Sequence, residues 1–244
     1  MTLDRSLPVV VFTAALLLAG RAGAATDAPA SPAPPDTIGR YHVTVTVQER
    51  VKTGGPKAAH TTMRDLRDAS GTIINAHGFV VTAAHVARST RNRVTVTAHD
   101  GSTYSARVLY VAPNLEIALL KTSEPWRFDI APPVVNASPK AGDAVTGIGL
   151  PADLSVTARP GTVRVPRYEY AFRFGAFGFR TPIVLDMQVE SGFSGGPVFD
   201  HQDRWLGMIV GFGLARNDDG EVVNTGQTFV LPARRVLGLV EGYR

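Results

Sequence analysis

Residues 190–198 read Glu190-Ser191-Gly192-Phe193-Ser194-Gly195-Gly196-Pro197-Val198. Three glycines surround one serine, Ser194. Glycine permits backbone angles and close approaches that a side chain resists. A serine hydroxyl is a weak nucleophile until a base takes its proton, and its attack on a carbonyl makes an oxyanion that needs fixed donors. Flanking glycines let backbone N–H groups turn toward such an anion. Taken alone, the stretch reads better as a glycine-rich surface turn closed by proline than as a catalytic element.

The balance shifts because the chain also holds a base and an acid. Thr82-Ala83-Ala84-His85-Val86 places a histidine straight after the apolar, strand-like run Phe79-Val80-Val81-Thr82. Imidazole titrates near neutral pH, which suits a general base. Glu116 stands just before a second apolar run, Ile117-Ala118-Leu119-Leu120. His, acid, Ser is one of the three chain orders in which such triads occur. Asp100 is the alternative acid, although His99-Asp100-Gly101-Ser102 reads as a hairpin turn.

Three segments together, Ser70-Gly71-Thr72-Ile73-Ile74, Thr82-Ala83-Ala84-His85 and Gly192-Phe193-Ser194-Gly195-Gly196-Pro197, resemble the trypsin-fold serine proteases. The resemblance is strongest to their bacterial high-temperature-requirement (HtrA/Deg) branch. Gly142-Asp143-Ala144-Val145, Ile148-Gly149-Leu150-Pro151, Asp186, Gly207 and Phe229-Val230-Leu231-Pro232 are weaker echoes of that branch. The match runs from about residue 70 to residue 236. It implies an all-β fold of two six-stranded antiparallel β-barrels, the active site between them, and a short C-terminal helix. It implies Ser194 as nucleophile, His85 as base, Glu116 as acid, and the N–H groups of Gly192 and Ser194 as the oxyanion hole. Gln188, Val189 and Glu190, with Val210, Gly211 and Phe212, would bind substrate in the first specificity pocket. None carries a well-placed charge, so a medium apolar residue is expected before the cut.

Two residues depart from the family pattern. Glu116 stands where aspartate is usual, so its extra methylene calls for a retreated backbone or a bent rotamer. Phe193 stands where aspartate or asparagine is usual; a ring cannot hydrogen-bond there and is expected to pack into the second barrel.

The chain has 244 residues, formal net charge +4 and no cysteine. The mild basicity does not demand nucleic acid. Without cysteine the fold relies on its core rather than on disulfides. Residues 1–24 read as a secretory signal peptide: Arg5, an apolar run over 7–18, and the small-residue site Ala22-Gly23-Ala24. Residues 25–39 are an Ala/Pro-rich linker. Residues 40–126 are assigned to the N-terminal barrel and 127–244 to the C-terminal one. Alternation predicts a strand over 41–48 and a loop over 51–63. Further strands are predicted over 69–74, 79–82, 93–98, 103–111, 117–121, 144–148, 162–165, 168–174, 183–189, 206–210 and 228–231. Residues 233–239 are the one convincing helix. The chain stops at Arg244, which leaves no room for the PDZ domain that many of these proteases carry.

The expectation is an exported serine endopeptidase, periplasmic or secreted, that cleaves proteins or peptides through an acyl-enzyme. It needs no cofactor or metal, binds no nucleic acid, and has no stable membrane insertion once the signal is cleaved. Oligomeric state is left open. The alternative is a catalytically impaired trypsin-fold binding or scaffold protein of the cell envelope, crippled by Glu116 and Phe193.

Overall fold

The computed structural model describes residues 34–53, 60–127, 130–135, 137–151 and 155–243, with the backbone alone for 50–53 and 60–67. The region read as a signal peptide therefore lies outside the described residues, as do residues 25–33 of the linker. A single helical turn, α1 (Asp36–Gly39), opens the described chain. Its Ile38 is 2% exposed and belongs to the core, so this end of the expected tether is folded.

Six strands close the first barrel: β1 (His42–Thr53), β2 (His60–Ile73), β3 (Phe79–Thr82), β4 (Arg93–Thr97), β5 (Thr103–Ala112) and β6 (Ile117–Thr122). Their order around it is β1-β2-β3-β6-β5-β4. β1 shows why. Val43, Val45 and Val47 are buried while Thr44 and Thr46 between them are half-buried. Such alternation lays one apolar face on the core, and each valine gives about 1.5–3 kcal/mol on full burial. The turn before β3 is shaped by Asn75, whose Oδ1 accepts from the N–H groups of His77 (3.0 Å) and Phe79 (3.4 Å). A one-turn helix, α2 (Ala84–Ala87), follows β3.

β7 (Ala144–Gly149) and β8 (Thr157–Val165) begin the second barrel. A separate two-stranded hairpin comes next, β9 (Ala171–Phe174) and β10 (Phe177–Arg180). β11 (Ile183–Asp186), β12 (Pro197–Asp200), β13 (Trp205–Arg216) and β14 (Val222–Pro232) complete the barrel in the order β11-β14-β13-β12-β7-β8. α3 (Ala233–Val240) ends the fold and buries Ala233, Val236 and Val240, one stripe of its surface. The expected fold class holds: two closed six-stranded antiparallel barrels and a short C-terminal helix.

Several expected boundaries change. Residues 51–53 and 60–63 are strand rather than loop, because β1 and β2 stay paired to Thr53↔His60; residues 54–59 lie outside the described residues. The strand expected over 168–174 is the first arm of the hairpin, and its second arm was not anticipated. β11 ends at Asp186, three residues early. β12 went unread because Gly-Gly-Pro suggests a turn, yet proline is compatible with the first position of a strand.

Candidate active site

His85 is the second residue of α2, three residues after the end of β3. β3 pairs with β6 through Thr82↔Ala118. Continued by two or three residues, that antiparallel register brings His85 opposite Glu116. A 3-10 turn (Pro113–Leu115) precedes Glu116, which caps it in the left-handed region with φ 57°. Its side chain is 0% exposed. Oε1 accepts a hydrogen bond from the His85 backbone N–H at 3.1 Å and a short one from His85 Nδ1. An imidazole whose Nδ1–H donates to a carboxylate presents the Nε2 lone pair as the acceptor. Glu116 Oε2 has no partner among the described residues. Asp100 is engaged elsewhere: its Oδ1 accepts from the Ser102 N–H at 2.9 Å and from the Ser102 hydroxyl in the β4–β5 turn.

Ser194 is half-buried in the loop between β11 and β12. Gly192 and Gly195 have φ of 103° and 92°, values that disfavour any side chain. A Cβ on Gly192 would lie 1.8 Å from the Leu150 carbonyl, and one on Gly195 would lie 2.1 Å from the Ser70 carbonyl. Three carbonyls of the loop accept from the first barrel. Gly192 O accepts from the Ser70 hydroxyl (2.7 Å), Ser194 O from the Ser70 N–H (3.2 Å), and Gly195 O from the Thr72 hydroxyl (3.0 Å). The N–H groups of Gly192 and Ser194 have no acceptor among the described residues, whereas that of Gly195 donates to Ile209 O at 2.8 Å. No hydrogen bond joins the Ser194 hydroxyl to His85 among the described residues.

Phe193 does pack into the second barrel. It is 0% exposed, in a cluster with Val145, Met187, Val198 and Ile209. Its ring faces Gly149 so closely that a Cβ there would lie 2.4 Å away. A carboxylate at this position would be a buried charge needing a partner; the Phe193 ring fills the place with apolar contact instead.

Gln188, Val189 and Glu190 line an open cavity of about 380 Å³ with Arg159, Pro160 and Asn224. Arg159 and Glu190 form an ion pair at 3.1 Å, and Asn224 donates to the Val189 carbonyl at 2.6 Å. That lining is more polar than the sequence suggested. Val210, Gly211 and Phe212 lie on β13 and do not line this cavity; Val210 is core, and Phe212 packs against the Phe193 cluster.

The sequence reading missed the hairpin's part in the site. Phe174 and Phe177, paired at its tip, stand edge-on to the His85 ring with centroids 5.8 and 6.3 Å away. Phe172 and Phe179 anchor the other end on Phe229, at 4.7 and 6.0 Å. The signal was present in the aromatic spacing Phe172, Phe174, Phe177, Phe179 around Gly175-Ala176.

Residues 69–208 match the family model for the trypsin-like peptidase domain. The chain is 31% identical to the "Probable periplasmic serine endoprotease DegP-like" of Brucella suis over 65% of its own length and 30% of that protein's. It is 26% identical to the serine protease HTRA1B of Danio rerio over 83% of its length and 42% of that protein's. The chain thus spans about a third of the length of several curated relatives it matches. The crystal structure of the Rv3671c protease in its inactive form superposes with a TM-score of 0.62 at 24% identity, covering 84% of this chain and 90% of that one. That likeness speaks to the fold.

Proposed function

Because this chain belongs to the trypsin-like peptidase family, with HtrA- and DegP-like serine proteases among its relatives, we propose that it is a serine endopeptidase using a His85-Glu116-Ser194 triad. The observation that carries this reading is the buried Glu116 carboxylate bonded to His85 Nδ1. His85 Nε2 takes the Ser194 proton as the hydroxyl oxygen attacks a peptide carbonyl. Glu116 holds the imidazole tautomer and stabilises the imidazolium. The N–H groups of Gly192 and Ser194 receive the oxyanion. The imidazolium then protonates the leaving amine, and water, activated by the same base, hydrolyses the acyl-enzyme. Gln188, Val189 and Glu190 form the substrate-binding wall, with β13 behind them supplying core packing through Val210. Proteins or peptides are the substrates. Export to the periplasm or beyond follows from the signal-like residues 1–24 and fits the periplasmic relative.

Labelling with a fluorophosphonate, which needs an activated serine, tests the reading. The wild-type chain should label at Ser194, and Ser194→Ala and His85→Ala should not. The second reading, an impaired binding protein, is favoured by the absent Ser194–His85 hydrogen bond, although such bonds often tighten only with substrate present. Wild-type protein that neither labels nor cleaves would refute the protease reading.

A further inference from the structure

Ser70 lies on β2 of the first barrel, fully buried, and its hydroxyl meets three partners. It donates to the Gly192 carbonyl at 2.7 Å, the Leu150 N–H donates to it at 3.0 Å, and His42 Nε2 lies 2.9 Å away. A hydroxyl has one proton and two acceptor sites. The Gly192 carbonyl can only accept, so it takes the proton. The Leu150 N–H can only donate, so it fills one acceptor site. His42 Nε2 must then donate into the other, which fixes the His42 tautomer. Every capacity of the Ser70 oxygen is used, and no water is needed to complete it.

We propose that Ser70 is a positioning residue that aims the Gly192 N–H at the oxyanion. The proposal rests on the reading of Ser194 as nucleophile. Gly192 cannot aim its own N–H, because glycine samples positive and negative φ almost equally. No side chain can be added to stiffen it, since a Cβ would strike the Leu150 carbonyl at 1.8 Å. The constraint must come from outside the residue. Burial of Phe193 holds the chain immediately after Gly192. The Ser70 hydroxyl holds the Gly192 carbonyl and with it the Gly192–Phe193 peptide plane, so the N–H on the other side of Gly192 pivots from one anchored end and has only the φ and ψ of Gly192 left to vary. Leu150 is fastened to the same oxygen and supplies the carbonyl that crowds Gly192 from the other side. One hydroxyl thereby fixes both walls around the donor. The backbone bond from Ser70 N–H to Ser194 O does not depend on the side chain, so substitution isolates the hydroxyl.

The test uses the full chain with Ser70→Ala and Ser70→Cys, the second keeping volume with a weaker donor. Removing an oxyanion donor outright costs about 10²–10³ in turnover. A misaimed donor should cost about 10–10²-fold in Ser70→Ala and less in Ser70→Cys, with KM changed less than about twofold. Affinity for a peptide boronate, which forms a tetrahedral adduct with Ser194, should fall by the same factor as turnover. Amide hydrogen exchange over residues 189–198 should accelerate at least about tenfold. Unchanged exchange overturns the proposal whatever the activity. Faster exchange with unchanged turnover per titrated site also overturns it, because Ser70 would then be structural only. If wild-type protein does not cleave at all, the protease reading falls and takes the oxyanion role with it, while exchange still reports whether Ser70 holds the loop.

Discussion

Glu116→Gln separates what the acid does by charge from what it does by geometry. Glu116 Oε1 takes both bonds from His85, and Oε2 takes none among the described residues. Glutamine is nearly isosteric. Its amide oxygen can occupy the Oε1 place and keep the imidazole tautomer, with the amide nitrogen at the empty Oε2 place. What disappears is the negative charge opposite the imidazolium. Two unit charges about 4 Å apart at an effective dielectric near 20 interact by about 4 kcal/mol. At about 1.4 kcal/mol per decade that is roughly 10³ in turnover. The reversed amide would donate to Nδ1 and impose the wrong tautomer, a loss of about 10⁴ in a comparable triad. The assay is steady-state cleavage of a peptide substrate, scaled to titrated sites. kcat should fall by about 10³ or more while KM moves little, because Glu116 is fully buried beneath His85. Loss of less than tenfold would refute the role of Glu116 as the triad acid. Glu116→Asp keeps the charge but shortens the side chain by one bond of about 1.5 Å. The 3.1 Å bond to the His85 N–H then opens beyond hydrogen-bonding reach. Aspartate tolerates the left-handed backbone of this position, so the smaller loss expected from it reports reach alone.

Two further outcomes concern stability. Burial pushes the His42 imidazole down to about 3 from its ordinary value near 6.5; the unfolded chain therefore binds the extra proton first, and stability present above pH 6.5 is lost as pH falls toward 3. Between pH 6.5 and 5 this one group removes about 2 kcal/mol, and urea midpoints of the wild type should fall in that window while His42→Gln, which keeps an N–H donor, should be flatter; superimposable profiles would refute the assignment. Phe193→Ala leaves a void against Gly149 in a fully buried cluster and should cost about 3–5 kcal/mol in urea unfolding; a cost below about 1 kcal/mol would mean that the ring does not hold the loop.

The strands that were legible in the sequence are those with local cause. β3 agrees with its expected bounds because three apolar residues and Thr82 lie between an Asn-Gly-bounded turn and a helix start, and β4 and β5 flank an Asp-Gly turn. The rest depends on partners distant in the chain. β12 is a strand because β7 and β13 flank it, not because of its own four residues. β10 contains a glycine and would mean little without Phe229 beneath Phe179. At the site, His85 and Glu116 were readable from the apolar runs beside them, and the structure joins them. The Ser70 junction was not readable: Leu150 and Gly192 are 80 and 122 residues away, and a serine in an apolar strand looks the same with or without them. The polar lining around Glu190 was hidden for the same reason, since Arg159 reaches it from β8.

By sequence the loop of Ser194 belongs to the second barrel, yet three of its carbonyls are held by β2 of the first. Neither half of the molecule contains the loop's conformation by itself. Its order is a property of the seam, and a sub-global opening there can release the loop while the strands of each barrel stay paired. Mild denaturant, or a partner that wedges the barrels apart, would therefore slacken the serine loop while circular dichroism still recorded intact strands. Such a chain carries a built-in gauge of its own assembly, read out at the one residue where disorder is most quickly felt.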